Sequence, residues 1–232
     1  MCGHGLRPGL LQPTPIESPK KYSYRTKTGY NFDPMSPRTV LRLEANPSQI
    51  CALESLQALF AQACSYLAVV VRDTRCWNRV ALHHLAYRTL RQQFPELGAQ
   101  MVCNAIYSVS RSARIIYQAK NSPWNIERRT GKPLPLIQFA ASAPVYFDRH
   151  TLSLRKGGIS MYTLDGRIRF DVCLSPEVEK QFREDKLKEV MLSRDAQGYF
   201  LAFGFGARLT EQANAYPPPN YLSVQESAGL AA

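Results

Sequence analysis

The chain has 232 residues, 45% of them hydrophobic, enough to bury a sizeable core in one domain or two closely joined lobes. Its 29 Lys and Arg against 18 Asp and Glu give a net charge of +11. The excess is uneven: residues 72–132 hold eleven basic side chains against three acids, and residues 1–38 hold six against two. Such asymmetry points to a polyanionic partner, for which phosphate contacts are the usual use. No run reaches the ~20 apolar residues of a membrane span, and the N-terminus has no apolar stretch of the secretory type, so a cytoplasmic protein with no membrane partner is expected. The six cysteines include no C-x-x-C pair, which argues against a zinc ribbon and for reduced core thiols.

In chain order, residues 1–38 are rich in proline and read as a disordered basic arm, where "KKYSYRTKTGYNF" interleaves cations with aromatics. A short strand, "TVLRLEA" (39–45), follows. Asn46, Pro47 and Gln49 then form a strong helix start: a cap, an N1 proline and a capping-box acceptor. Ile50, Leu53, Leu56, Phe60, Ala63, Cys64, Leu67 and Val71 continue it as one apolar stripe. Residues 72–78 make a polar break.

The next helix, "RVALHHLAYRTLRQQ", places Leu82, Leu85, Ala86, Leu90 and Phe94 on one face and His84, Arg88, Arg91 and Gln92 on the other. His83 and His84 are adjacent, ~100° apart around the helix, and so do not ligate one metal together. His83 reads as a core-edge residue and His84 as part of a basic surface. A third helix, roughly 97–119, has an apolar stripe (Met101, Val102, Ala105, Ile106, Val109, Ala113, Ile116) and a second stripe of Gln100, Asn104, Tyr107, Arg111, Arg114 and Gln118. That second stripe carries cations, amides and an aromatic with no opposing acid, the composition of a binding face. The basic loop 121–133, "NSPWNIERRTGKP", includes Trp124.

Beyond the loop the texture changes to short alternating runs separated by Pro, Gly or Asp-Gly, the mark of strands. Asp165-Gly166 predicts a hairpin with a type I′ turn, and Asp195–Gly198 predicts another. "SPEVEKQFRED" reads as a short capped helix. The expected fold is α+β: a small antiparallel β-barrel or sheet (39–45 and 134–207) with an inserted helical bundle (46–133), and a disordered tail at 208–232.

Several enzyme motifs fail. "RRTGKP" has Pro133 where a P-loop needs Ser or Thr and Ile126 where it needs glycine. "GFGARL" lacks the third glycine of a dinucleotide turn, and no Ser-His-Asp or Cys-His set emerges from spacing. No catalytic residue, metal ligand or cofactor is assigned.

The segments "WNRVALHHLAYRTLRQQFPELGAQMVCNAIYSVSRSAR", "ISMYTLDGRIRFDVCL" and "GYFLAFGF" together resemble the N-terminal half of TnpB-type proteins, the transposon-encoded OrfB family of RNA-guided DNA nucleases related to type V CRISPR effectors. The resemblance covers roughly residues 38–206. It implies a wedge-like β-barrel (39–45, 134–207) and a helical recognition insert (46–133) that grip guide RNA and DNA. The family's RuvC-like domain, with its metal-binding carboxylates and paired C-x-x-C zinc element, has no counterpart here. Recognition carries over; cleavage does not.

A-form duplexes are held through shape and backbone, which suits cationic helix faces. Arg88, Arg91, Arg111 and Arg114 are expected on phosphates, Lys120, Arg128, Arg129 and Lys132 as a clamp, and Tyr107 and Trp124 as stacking residues. Two other readings compete. The chain would be the recognition subunit of a split endonuclease whose RuvC half is encoded separately, or a degenerate mobile-element fragment with "YFLAFGF" as an exposed apolar patch.

Overall fold

The computed structural model describes residues 38–155, 157–205 and 218–226. The fold is α+β. After β1 (Arg38–Arg42) come three helices, α1 (Pro47–Thr74), α2 (Arg79–Gln93) and α3 (Ala99–Tyr117), and a 3-10 turn at Ile126–Arg128. The sheet region follows: β2 (Leu136–Phe139), β3 (Val145–Phe147), β4 (Leu152–Arg155), β5 (Gly158–Thr163), β6 (Gly166–Asp171), α4 (Pro176–Glu184), β7 (Leu187–Asp195), β8 (Gly198–Phe205) and β9 (Leu222–Gln225).

α1 starts as its sequence dictates. Asn46 accepts from the Gln49 amide at 2.9 Å while the Gln49 side chain accepts from the Asn46 amide at 2.9 Å, and Pro47 occupies the first turn. The predicted stripe is buried from Leu53 to Val71, with Ile50 half-buried at its start. By length and composition α1 is apolar enough to cross a bilayer, yet its stripe lies in the core, against α3 and β2. The expected polar break is shorter than 72–78: the helix continues to Thr74, Arg75 turns it in a left-handed conformation (φ 53°), and Trp77 is buried against Tyr117.

The strands form three antiparallel groups: β1-β8-β7-β3, β2-β9 and β4-β5-β6. Among the described residues they do not close into a barrel. β8 is an inner strand, paired with β1 on one side and β7 on the other. Its "YFLAFGF" is therefore buried along its whole length, not exposed as a patch. Part of the expected tail is also ordered: Leu222–Gln225 pairs with β2, Leu222 opposite Phe139 and Gln225 opposite Leu136. The expected disordered arm lies outside the described residues, save for Arg38 at the start of β1.

The helices are inserted between β1 and β2 as expected, but they do not stand apart. One cluster of buried side chains runs from Leu43 through all three helices into β2–β9. α3 lies at the centre, packed on α1 and α2 and also on β3. Of the three inserted helices α2 buries the fewest residues, Leu82, Ala86 and Leu90, and Leu85 is left 50% exposed although it sits on the predicted apolar face.

Both predicted hairpins form. At the first, only Gly166 of the pair Asp165-Gly166 has positive φ (107°), so the type I′ geometry is not adopted, because it requires positive φ at both central residues. Thr163 pairs with Gly166 instead, around Leu164-Asp165, and Gly198 (φ 111°) plays the same part after Ala196-Gln197. Ser175 caps the short α4 by accepting from the Val178 amide. Phe182 of α4 packs edge-on against Phe203 at 4.8 Å and Phe205 at 5.2 Å.

Candidate nucleic-acid interface

The middle of the second stripe of α3, Asn104, Tyr107 and Arg111, faces protein because α3 also packs on the sheet, while Gln118 at its end is exposed. Asn104 is buried and donates to the Tyr146 carbonyl of β3 at 3.0 Å. Three residues further, Tyr107 donates its hydroxyl to Glu189 of β7 at 2.9 Å. Arg111 donates from one guanidinium nitrogen to the same Glu189 oxygen at 2.9 Å and to the Tyr146 hydroxyl at 2.8 Å. The Arg111 and Glu189 side chains are only 15% and 8% exposed. The spacing of 104, 107 and 111 puts these three on one helical face, so that a row read as cationic becomes a polar seam against the sheet.

Electrostatics agree with enclosure. Burial raises the Tyr107 phenol well above its ordinary range, and the nearby Glu189 raises it further. Burial opposes charge on Arg111, but Tyr146 and then Glu189 outweigh it and hold the guanidinium more firmly protonated than usual. Tyr221 completes the seam through Tyr146, its phenol pushed up chiefly by burial. Burial also pushes the Cys64 thiol up, leaving it an inert core residue.

The remaining expected contact residues divide. Trp124 is 4% exposed and part of the core, so no base reaches its ring; the Ser122 hydroxyl accepts from its amide at 3.1 Å and anchors the turn. Arg129 pairs with Glu226 at 2.8 Å, just beyond β9. Arg91 is half-buried and donates to the Leu97 carbonyl, tying α2 to the loop before α3. Arg114 is half-buried. Arg88, Lys120, Arg128 and Lys132 are exposed, and none makes an ion pair among the described residues. Lys120 follows the end of α3, and the Lys132 carbonyl meets the Arg75 guanidinium just past the end of α1 at 3.5 Å. His83 is half-buried, stacked on Tyr87 at 4.8 Å, while His84 is exposed.

A second cationic face is visible only in the fold. On the β4-β5-β6 sheet, Leu152, Met161 and Ile168 form one cross-strand row, and Leu154, Ile159 and Phe170 another; both face inward. The alternate residues face outward: Ser153, Ser160 and Arg169 in one row, Tyr162 opposite Arg167 in the next, and Arg155, Gly158 and Asp171 at the far end. Arg149 and His150, both exposed, lie in the turn before β4. The signal in the sequence is the alternation Arg167-x-Arg169, which by itself marks no more than one strand of a hairpin.

Among the described residues, no three His, Cys, Asp or Glu side chains gather as a metal site would require. No protein-family model matches the chain, and no curated protein does.

Proposed function

We propose that this protein is a nucleic-acid-binding module of the TnpB/OrfB transposase-like kind, which grips RNA or DNA through exposed cations and does not itself cut. Guide RNA and target DNA are its proposed partners in the cytoplasm, and a separately encoded RuvC-like half is the partner that would supply cleavage. The observation that carries the reading is charge left over after folding. Arg88, Lys120, Arg128 and Lys132 remain exposed without an ion-pair partner among the described residues, in a chain with net charge +11. Unopposed cations of this kind suit phosphates, whose contacts position a polynucleotide without reading its sequence.

The test is binding of RNA and duplex DNA by the full chain across a salt series. Affinity should fall steeply from about 50 to 200 mM salt. Replacing Lys120, Arg128 and Lys132 together by Gln should lower the log–log slope by about 0.9 for each duplex phosphate that is no longer neutralised. Failure to bind any polynucleotide at the lowest salt, or cleavage by the pure chain, would refute the proposal.

A further inference from the structure

We infer that the outward face of the β4-β5-β6 sheet is a docking surface for single-stranded polynucleotide, with Tyr162 as the stacking platform and Arg167 and Arg169 on the backbone. This rests on the polyanion-binding reading above but assigns a different surface and a specific nucleic-acid form.

The face has a small-residue floor. Ser153 and Ser160 lie opposite each other, and Gly158 stands beside them because a Cβ there would come within 2.9 Å of the Phe170 carbonyl oxygen. Over this floor lies the Arg167 guanidinium. It reaches Ser160 Oγ at 3.2 Å, Ser153 Oγ at 3.4 Å and the His150 carbonyl at 3.0 Å. Its carbon sits 4.3 Å from the Tyr162 ring centre. Arg167 is therefore positioned in advance, so binding it to a phosphate sacrifices little side-chain freedom.

Tyr162 is 43% exposed, the one large aromatic among the outward residues described for this sheet, and it stands next to cations. A phenol and a guanidinium lying together offer a flat surface to an unpaired base, and stacking of this kind tolerates any base. A base inside a duplex is already stacked and cannot reach it. Arg155 and Arg169 flank the floor, and neither makes an ion pair among the described residues. The one acid among the described outward strand residues, Asp171, stands across Gly158 from Arg155, two strands away. An outward strand face serving only solubility normally mixes charge signs; the described outward residues of this one carry three arginines against one acid, beside two serines, a glycine and a tyrosine. Three strands give room for about two or three bases, the scale on which sheet-surface modules bind RNA.

The test uses fluorescence anisotropy of the full chain with a short mixed-sequence oligonucleotide, as ribo and deoxyribo single strands and as duplex. Tyr162→Leu should weaken single-strand binding about tenfold while leaving duplex affinity and the salt slope unchanged. Arg167→Gln with Arg169→Gln should weaken it further and lower the slope by about 0.7 for each single-strand phosphate set free. Thermal melting checks that each variant folds. As a readout independent of variants, a 4-thiouridine-substituted strand should photocross-link within β5 or β6. The ribo and deoxyribo arms decide which polynucleotide is preferred. Wild-type single-strand affinity in both variants, or equal loss of duplex affinity, overturns this inference and leaves the general function standing. No binding by the wild-type chain to any of the three overturns both.

Discussion

Removing Glu189 alone should destabilise the protein far more than removing it together with Arg111. The pair is held at 2.9 Å with side chains 15% and 8% exposed. In Glu189→Leu, the Arg111 charge stays buried with the Tyr146 hydroxyl as its one hydrogen-bond acceptor among the described residues, a loss of about 3–5 kcal/mol. Against a total stability of about 5–15 kcal/mol that is a large fraction. In Arg111→Met with Glu189→Leu both charges leave together. Arg111 Nε already lacks a partner among the described residues, so the pair is incompletely satisfied as it stands. The double variant still leaves the Tyr107 hydroxyl without its Glu189 acceptor, so it should lie about 1–3 kcal/mol below wild type, well short of the loss in Glu189→Leu, which strands both that hydroxyl and the Arg111 charge. Urea denaturation followed by circular dichroism, run as a double-mutant cycle, gives the coupling directly. The same variants separate stability from binding: the double variant should keep the wild-type salt slope for nucleic acid. A Glu189→Leu loss below about 1 kcal/mol, or a lower salt slope in the double variant, would show that Arg111 is solvated and on phosphate, and would refute the buried seam.

Stability should also fall in alkali. Burial raises the phenols of Tyr107, Tyr117 and Tyr221, so from about pH 10 the unfolded chain ionises them while the folded one does not. Each contribution is intact below that pH and declines by about 1.4 kcal/mol per pH unit as pH rises toward the folded value. Denaturant midpoints at pH 9 and 11, with tyrosinate absorbance, check this; full ionisation of the native protein near pH 10 would sink it. Gly158→Ala should cost about 1–3 kcal/mol by pushing a methyl group onto the Phe170 carbonyl of the neighbouring strand, measurable as a lower thermal midpoint. An unchanged midpoint would mean that β5 and β6 separate easily.

Local rules were legible in the sequence. The Asn46–Gln49 capping box, the α1 stripe and both hairpins are set by residues close together in the chain, and they form where expected. What the sequence hid is tertiary. Asn104, Tyr107 and Arg111 carry the composition of a solvated face, and only the position of α3 between two helices and β3 turns them inward. Trp124 has the setting of a loop aromatic but fills the core. β9 is hidden because four alternating residues after a run of prolines give too short a period to recognise, and its partner β2 lies far back in the sequence. Arg167 and Arg169 are visible as letters, but their shared outward face emerges only once strand register is known.

That late partner bears on the order of assembly during synthesis. The three helices and the β7–β8 hairpin are made of segments that leave the ribosome well before residue 222. β2 is made more than eighty residues earlier and waits, without a strand partner among the described residues, for Leu222–Gln225 to arrive and for Glu226 to meet Arg129. Between the synthesis of Phe139 and that of Leu222 the growing chain thus carries an open strand edge, and β9 acts as the latch that shuts it.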